Sequence, residues 1–394
     1  ITLRAVDTGD IYNLNNSLTA DAAMSGTQNI SMTTAKGALL NFGADLTASG
    51  SVELKSAAAA EYGDVQNVNS SITAGGTVTL QATQGGLVNY LGAIEAGKKS
   101  GSNADVQLLA AYDVLNLGSA ITTNKGKVEL QATESGDVTN DFSAITTREG
   151  NISIVTESGA VENAYSNLST SKGNITVDGT KDVVLNNSAV AAQGNVSISS
   201  SSGAYGEVLL TESNITAGTG AGGTASITSS YGDIIIRNSD VRAGTTIDIA
   251  SNQGNISNFN DGDVVVATDS HVGVTVTAEK NVEVTSLAGN IDNYGVTTAA
   301  NEDVSLTAFA GSVINYANIT ANGGTISLAA YAPDTSAGKG DVSSLNTYNA
   351  NTVLSAGKGV DLFAMNELQN DSDVKVQQGN ITITSVNSSV DMGV

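Results

Sequence analysis

Cysteine and tryptophan are absent from this chain of 394 residues, which has one proline and one histidine. Without thiols the fold has neither disulfides nor thiolate metal sites, and cysteine nucleophiles are excluded. Positive charge is scarce as well: 16 Lys and Arg stand against 39 Asp and Glu, giving a net charge of −23 and a pI near 4.1. Such a chain repels phosphate backbones, so nucleic acid is not an expected partner. Apolar runs such as Ala57–Ala60 fall far short of the ~20 residues of a membrane helix, and no membrane span is expected. Charged residues make up 14% of the chain, where about 25% is usual, so neutral polar groups must cover much of the surface.

What is present is glycine, 43 residues of it, with many Ala, Val, Ile, Leu, Ser, Thr and Asn. Small and β-branched side chains suit strands and turns. Their even mixture with neutral polar residues argues against disorder. The expected chain is ordered and all-β.

One phrase recurs from end to end: Gly, Asn or Thr, then two alternating aliphatic residues, a turn, Val/Ile-x-Asn, and Ile/Leu-Thr-Ala. In residues 150–172, Ile152 and Ile154 share one face of a first strand, Val161 and Asn163 one face of a second, and Leu168 opens a third. First strands are predicted to start at Ile1, Ile30, Val52, Val78, Val106, Val128, Ile152 and Ile175. The series continues at Val196, Ala225, Ile247, Val282, Val304, Ile326, Val360 and Ile381. These starts recur every ~25 residues, a solenoid period. The missing leucine consensus excludes leucine-rich repeats, and alternation with period two excludes helical repeats. The prediction is a right-handed parallel β-helix (β-solenoid) of about sixteen coils of three short strands, roughly 75–80 Å long at ~4.8 Å per coil. The pattern is under way at Ile1 and still running at Val394, so 1–394 is expected to be a single β-helical rod, an excerpt of a longer repetitive protein.

The second-strand asparagine recurs at Asn13, Asn41, Asn67, Asn89, Asn116, Asn140, Asn163 and Asn186, then less regularly at Asn238, Asn258, Asn293 and Asn315. An amide both donates and accepts, so identical inward residues one coil apart can bond into a ladder. Phe42, Tyr90, Phe259, Tyr294 and Tyr316 each follow one of these asparagines and should point outward. Such a stripe would stack on sugars, pack against a neighbouring rod, or cover a corner of its own coil.

Signs of chemistry are few. His271 lies in Thr268–Gly273 without a neighbouring Asp-Asp pair, and reads as loop surface rather than a catalytic group. Asp240 between Arg237 and Arg242 reads as an exposed salt bridge. Asp10, Asp64, Asp113 and Asp137 precede second strands, and the acidic loops Asp261-Gly262-Asp263 and Asn370-Asp371-Ser372-Asp373 offer oxygens of the kind that hold Ca²⁺. No Gly-Gly-x-Gly-x-Asp nonapeptide occurs, so a calcium roll is excluded and no cofactor is expected. Asn-x-Ser/Thr sequons at Asn29, Asn151, Asn174, Asn195, Asn214, Asn318 and Asn380 largely fall out of the repeat. The period lengthens at Gly97–Ala104, Gly218–Gly223, Asn260–Lys280 and Tyr331–Leu354, where loops would protrude, either as the seat of any recognition or as neutral insertions.

The segment Ile72-Thr73-Ala74-Gly75-Gly76-Thr77-Val78-Thr79-Leu80-Gln81-Ala82, followed by Gly86-Leu87-Val88-Asn89-Tyr90, resembles the repeats of filamentous haemagglutinin-type exoproteins secreted by the two-partner route. The resemblance covers nearly all the chain and implies an extracellular rod at the bacterial cell surface, part of an adhesin or of the stalk of a contact-dependent toxin. It implies as partners a host-cell or bacterial surface glycan or protein, or neighbouring rods of the same protein. The Asn-Pro-Asn-containing secretion domain of that family is not in this sequence. A carbohydrate-active β-helix enzyme, polysaccharide lyase or hydrolase, is the second reading, and a surface-layer or filament subunit the third. With one histidine, no cysteine and no acid pair spaced to a base, the chain is expected not to be an enzyme.

Overall fold

The computed structural model describes residues 1–7, 9–20, 27–57, 63–98, 103–201, 206–218, 222–259, 275–294, 296–299, 301–331, 342–344 and 352–392. Among them are 47 strands of three to six residues and no helix, hence no helix able to cross a membrane. Thirteen of the sixteen first strands begin at the expected residue, and those at Thr2, Thr325 and Gly359 begin within one residue of it.

The chain divides into two compact units, Ile1–Gln193 and Gly194–Val394. In each, strands come in triplets that feed three parallel sheets, here A, B and C. The coil Val128–Ala132, Val138–Asp141, Ala144–Thr147 is representative. Its first strand pairs in parallel and in register with the first strands before and after it, Val106 to Val128 to Ile152, and the second and third strands do likewise. The first unit has eight strands in each sheet; the second has eight in A and B and seven in C. Each unit is thus a parallel β-solenoid with three strands per coil, consistent with the right-handed β-helix the repeat predicts.

Alternation explains why these residues fold this way. In Val128–Ala132 the first, third and fifth side chains are buried and the others half-buried. Parallel register then stacks like on like, so Leu54, Leu80, Leu108 and Leu130 form one fully buried file. Each such side chain contributes about 1.5–3 kcal/mol on leaving water. Shifting any strand by one residue would turn the whole file outward, so the register is strongly fixed.

The turns are as constrained as the strands. A Cβ on Gly159 would lie 2.0 Å from the Gly136 carbonyl oxygen, and one on Gly254 would lie 2.1 Å from that of Gly232. Coils at ~4.8 Å spacing leave no room there for a side chain, which is why glycine recurs between first and second strands.

Candidate functional site

The second-strand asparagines are the first group to place. Asn13 donates from Nδ2 to Oδ1 of Asn41 at 2.7 Å, and the relay continues through Asn67, Asn89, Asn116, Asn140 and Asn163 at 2.6–2.9 Å. All seven amides are buried. A buried amide without partners would cost about 1–3 kcal/mol, and stacking identical residues at the coil spacing avoids that for the interior members. Every bond points the same way along the stack, so the dipoles align and reinforce one another.

Two asparagines expected in this ladder are not in it. Asn186 pairs with Ala164, while Leu185 pairs with Asn163 and takes the inward place. One residue of offset is half the strand period and puts Asn186 on the outer face. Asn238 follows the strand Ile234–Arg237 at a φ of 47°, in the turn, and Ile236 fills the inward place. Since Leu185 offers no acceptor, Nδ2 of Asn163 is buried without a partner and the ladder stops. In the second unit Leu210 and Ile236 occupy the same place. Asn293 then donates to Asn315 at 2.5 Å, and Asn315 donates to the Ala317 carbonyl at 2.8 Å. The Asn258 side chain lies outside the described residues.

The acidic row has a structural task. Oδ1 of Asp10, Asp64, Asp113 and Asp137 accepts the backbone N–H of Ala38, Gly86, Asp137 and Ala160, each one coil further on, at 2.8–2.9 Å. Tyr12 also donates to Asp10, and these two bonds hold the Asp10 carboxyl below its usual range. The sequon asparagines Asn29, Asn151, Asn195 and Asn318 do the same with Oδ1, accepting the N–H of Ser51, Asn174, Thr224 and Val353. Asp371 accepts from Gln369 at 3.2 Å, and Asp373 lies 3.9 Å from Lys375. No group of three or more His, Asp or Glu among the described residues is arranged to hold a metal ion. Arg242 and Asp240 form the expected exposed pair at 3.2 Å, and Arg237 lies in a second strand in register with Thr211 and Phe259. His271, Asp261 and Asp263 lie outside the described residues, as do Lys99–Ser102 and most of the two long insertions.

Phe42, Tyr90 and Tyr294 are exposed as expected, and Tyr316 is half-exposed. The Phe259 side chain lies outside the described residues. Tyr294 and Tyr316 stack with centroids 4.6 Å apart. Beside them burial raises the pKa of Asp292, whose Oδ1 is buried without a partner. Asp248, on sheet A, is raised by burial too.

A second ladder escaped the sequence reading. Ser119 and Ser143 donate their N–H to Oγ of Ser143 and Ser166 at 3.0 Å, and Ser166 donates to Ser188 at 3.3 Å. Each Oγ in turn donates to the carbonyl two residues back, as Ser143 does to Asp141 at 2.8 Å. The signal was an Asn-x-x-Ser spacing, present at Ser70, Ser119, Ser143 and Ser166.

No protein-family model matches the chain, and neither does any curated protein or solved structure. Function has to be read from the geometry. The recurring polar groups are directed into bonds between coils.

Proposed function

We propose that the chain is an extracellular structural and adhesive segment of a bacterial surface protein, a non-catalytic spacer that presents a binding or effector module. The observation that carries this reading is the fate of the repeated polar residues. Asn116 and Ser143, which a binding or catalytic site would turn outward, are buried and bond one coil to the next, and the exposed Asp113 is bonded to the next coil as well. A chain whose polar repeats serve its own stacking is suited to bear load and hold a distance. Eight coils at ~4.8 Å give each unit an extent of roughly 35–40 Å along its own axis. The resemblance to haemagglutinin-type repeats supports the cell-surface location and the adhesive role.

The test pairs binding with catalysis. Purified chain is applied to host-cell and bacterial surfaces, and separately incubated with pectin, alginate, hyaluronan and bacterial capsule, with and without Ca²⁺. Saturable surface binding without oligosaccharide products is expected. Products that disappear on His271→Ala or Asp263→Asn would overturn the reading in favour of a polysaccharide-degrading enzyme.

A further inference from the structure

The outer faces of the three sheets differ in the first unit. Outward residues of sheet A include Glu53, Lys55, Thr79 and Gln81, and those of sheet C include Ser71, Thr73, Thr122 and Thr146. Sheet B is apolar over its first five coils, and polar groups, Thr139, Asp141 and Glu162, return to its outer face on the next two. Leu14, Phe42, Val68, Tyr90 and Leu117 stand in register on five successive coils, with Tyr12, Leu40, Val88 and Leu115 beside them. Gln66 is the one polar outward residue of those five strands, and none of them carries an outward cation.

The apolar surface continues around the next corner by an unusual route. The residue after the second strand adopts positive φ, and in five coils it is Asn15, Gly43, Asn69, Gly118 or Asn187, as that conformation favours. In three others it is Leu91, Phe142 and Tyr165, at φ of 48–49° and 50–67% exposed. A bulky residue there costs about 1–2 kcal/mol and, being exposed, recovers little from the fold itself. Phe142 and Tyr165 stack face to face with centroids 4.8 Å apart and 4° between planes. Each ring thus covers one face of the other, and the pair presents a packed aromatic surface of the kind buried at protein interfaces.

We propose that this face of the first unit, sheet B with its adjoining corner, is the interface on which a second copy of the chain docks. Two observations favour a second copy. One is area: Tyr12, Phe42, Tyr90, Phe142 and Tyr165 are each about half-exposed, and at ~200 Å² per ring they offer roughly 500 Å². The neighbouring aliphatic residues bring this close to the ~800 Å² per partner of a stable interface. The other is period. Side-chain rows spaced at ~4.8 Å interdigitate best with rows of the same spacing, which another copy of this sheet provides in a two-fold, sheet-on-sheet arrangement. The carboxylates of Asp10, Asp64, Asp113 and Asp137, just before the second strands at the other edge of sheet B, are held by their backbone bonds. They form an acidic rim that opposes association at low salt. The inference goes beyond the spacer role and does not depend on it.

The test is sedimentation velocity of the whole chain from about 1 to 100 µM, at low and at high NaCl. A monomer–dimer equilibrium that tightens severalfold with salt is expected, as the acidic rims are screened. Tyr90→Thr with Phe142→Asn should weaken it at least tenfold while leaving the urea midpoint no lower, because Thr suits a strand and Asn suits positive φ. Thr79→Asp on sheet A should leave it unchanged. A chain that stays monomeric at 100 µM in both salts, or a dimer indifferent to the double substitution, would overturn the proposal. Association that weakens with salt would also overturn it, and would point to contacts between opposite charges.

Discussion

In the first unit the inward polar place of the second strand is asparagine in seven successive coils and leucine in the eighth. In the second unit the same register position begins with Leu210 and Ile236 and returns to asparagine at Asn258, Asn293 and Asn315. Both fillings sit in the same parallel register with the same alternation, so the backbone does not choose between them. They differ in where their cost falls. An aliphatic file is satisfied coil by coil, whereas an amide file is satisfied only while its neighbours are amides, and its open end is penalised. Asn163 is that open end.

The largest effect expected is one the two units share. Gly159→Ala in the first and Gly254→Ala in the second should each cost about 2–4 kcal/mol, since the new methyl would meet a carbonyl 2.0–2.1 Å away. Urea denaturation checks this, and a cost confined to one unit would mean that the turns are not equivalent. Next come the serines. Ser143→Ala removes the acceptor for the Ser119 amide and the donor to Asp141, and Ser239→Ala does the same for Ser213 and Arg237. A loss of about 1–2 kcal/mol is expected at both sites.

The smallest effect separates the units by sign. Burial raises the Asp292 carboxyl above its ordinary 3.8. Its favourable contribution is therefore complete below that value and is lost as pH rises through the raised one. Asp292→Asn should stabilise the chain at pH 7 by under about 1 kcal/mol, with the gain vanishing in acid. Glu149 runs the other way: the bond from Lys172 lowers it below 4.5. Its contribution is present above that pH and lost as pH falls through the lowered value. Glu149→Gln should lower stability slightly at pH 7 and have no effect in strong acid. Unfolding midpoints of both variants from pH 2 to 8 check the two signs.

The fold was legible in the sequence because period-two alternation and a ~25-residue repeat leave little choice of architecture, and first strands such as Val128–Ala132 begin where the pattern put them. The ladder was legible up to Asn163. It was misread at Asn186 and Asn238 because counting asparagines ignores which face each occupies, and a one-residue offset reverses the face. The serine row was missed because serine is common in this chain and its role depends on a carbonyl two residues back. Whether a carboxylate before a strand binds metal or caps the next coil was not legible either. Asp113 became interpretable only when the N–H of Asp137 was found 2.9 Å from it.

The direct test of the ladder compares its middle with its end. Asn140→Leu leaves Nδ2 of Asn116 and Oδ1 of Asn163 without partners, adding two buried unsatisfied groups, and should cost about 1–3 kcal/mol. Asn163→Leu removes the stranded Nδ2 and strands that of Asn140 instead, leaving the number of unsatisfied groups unchanged. Its cost should stay within about 1 kcal/mol of zero, the worth of one hydrogen bond. Urea midpoints of the two variants measured side by side should therefore differ clearly, with Asn140→Leu the less stable. Equal midpoints, or Asn163→Leu the less stable of the two, would contradict the ladder.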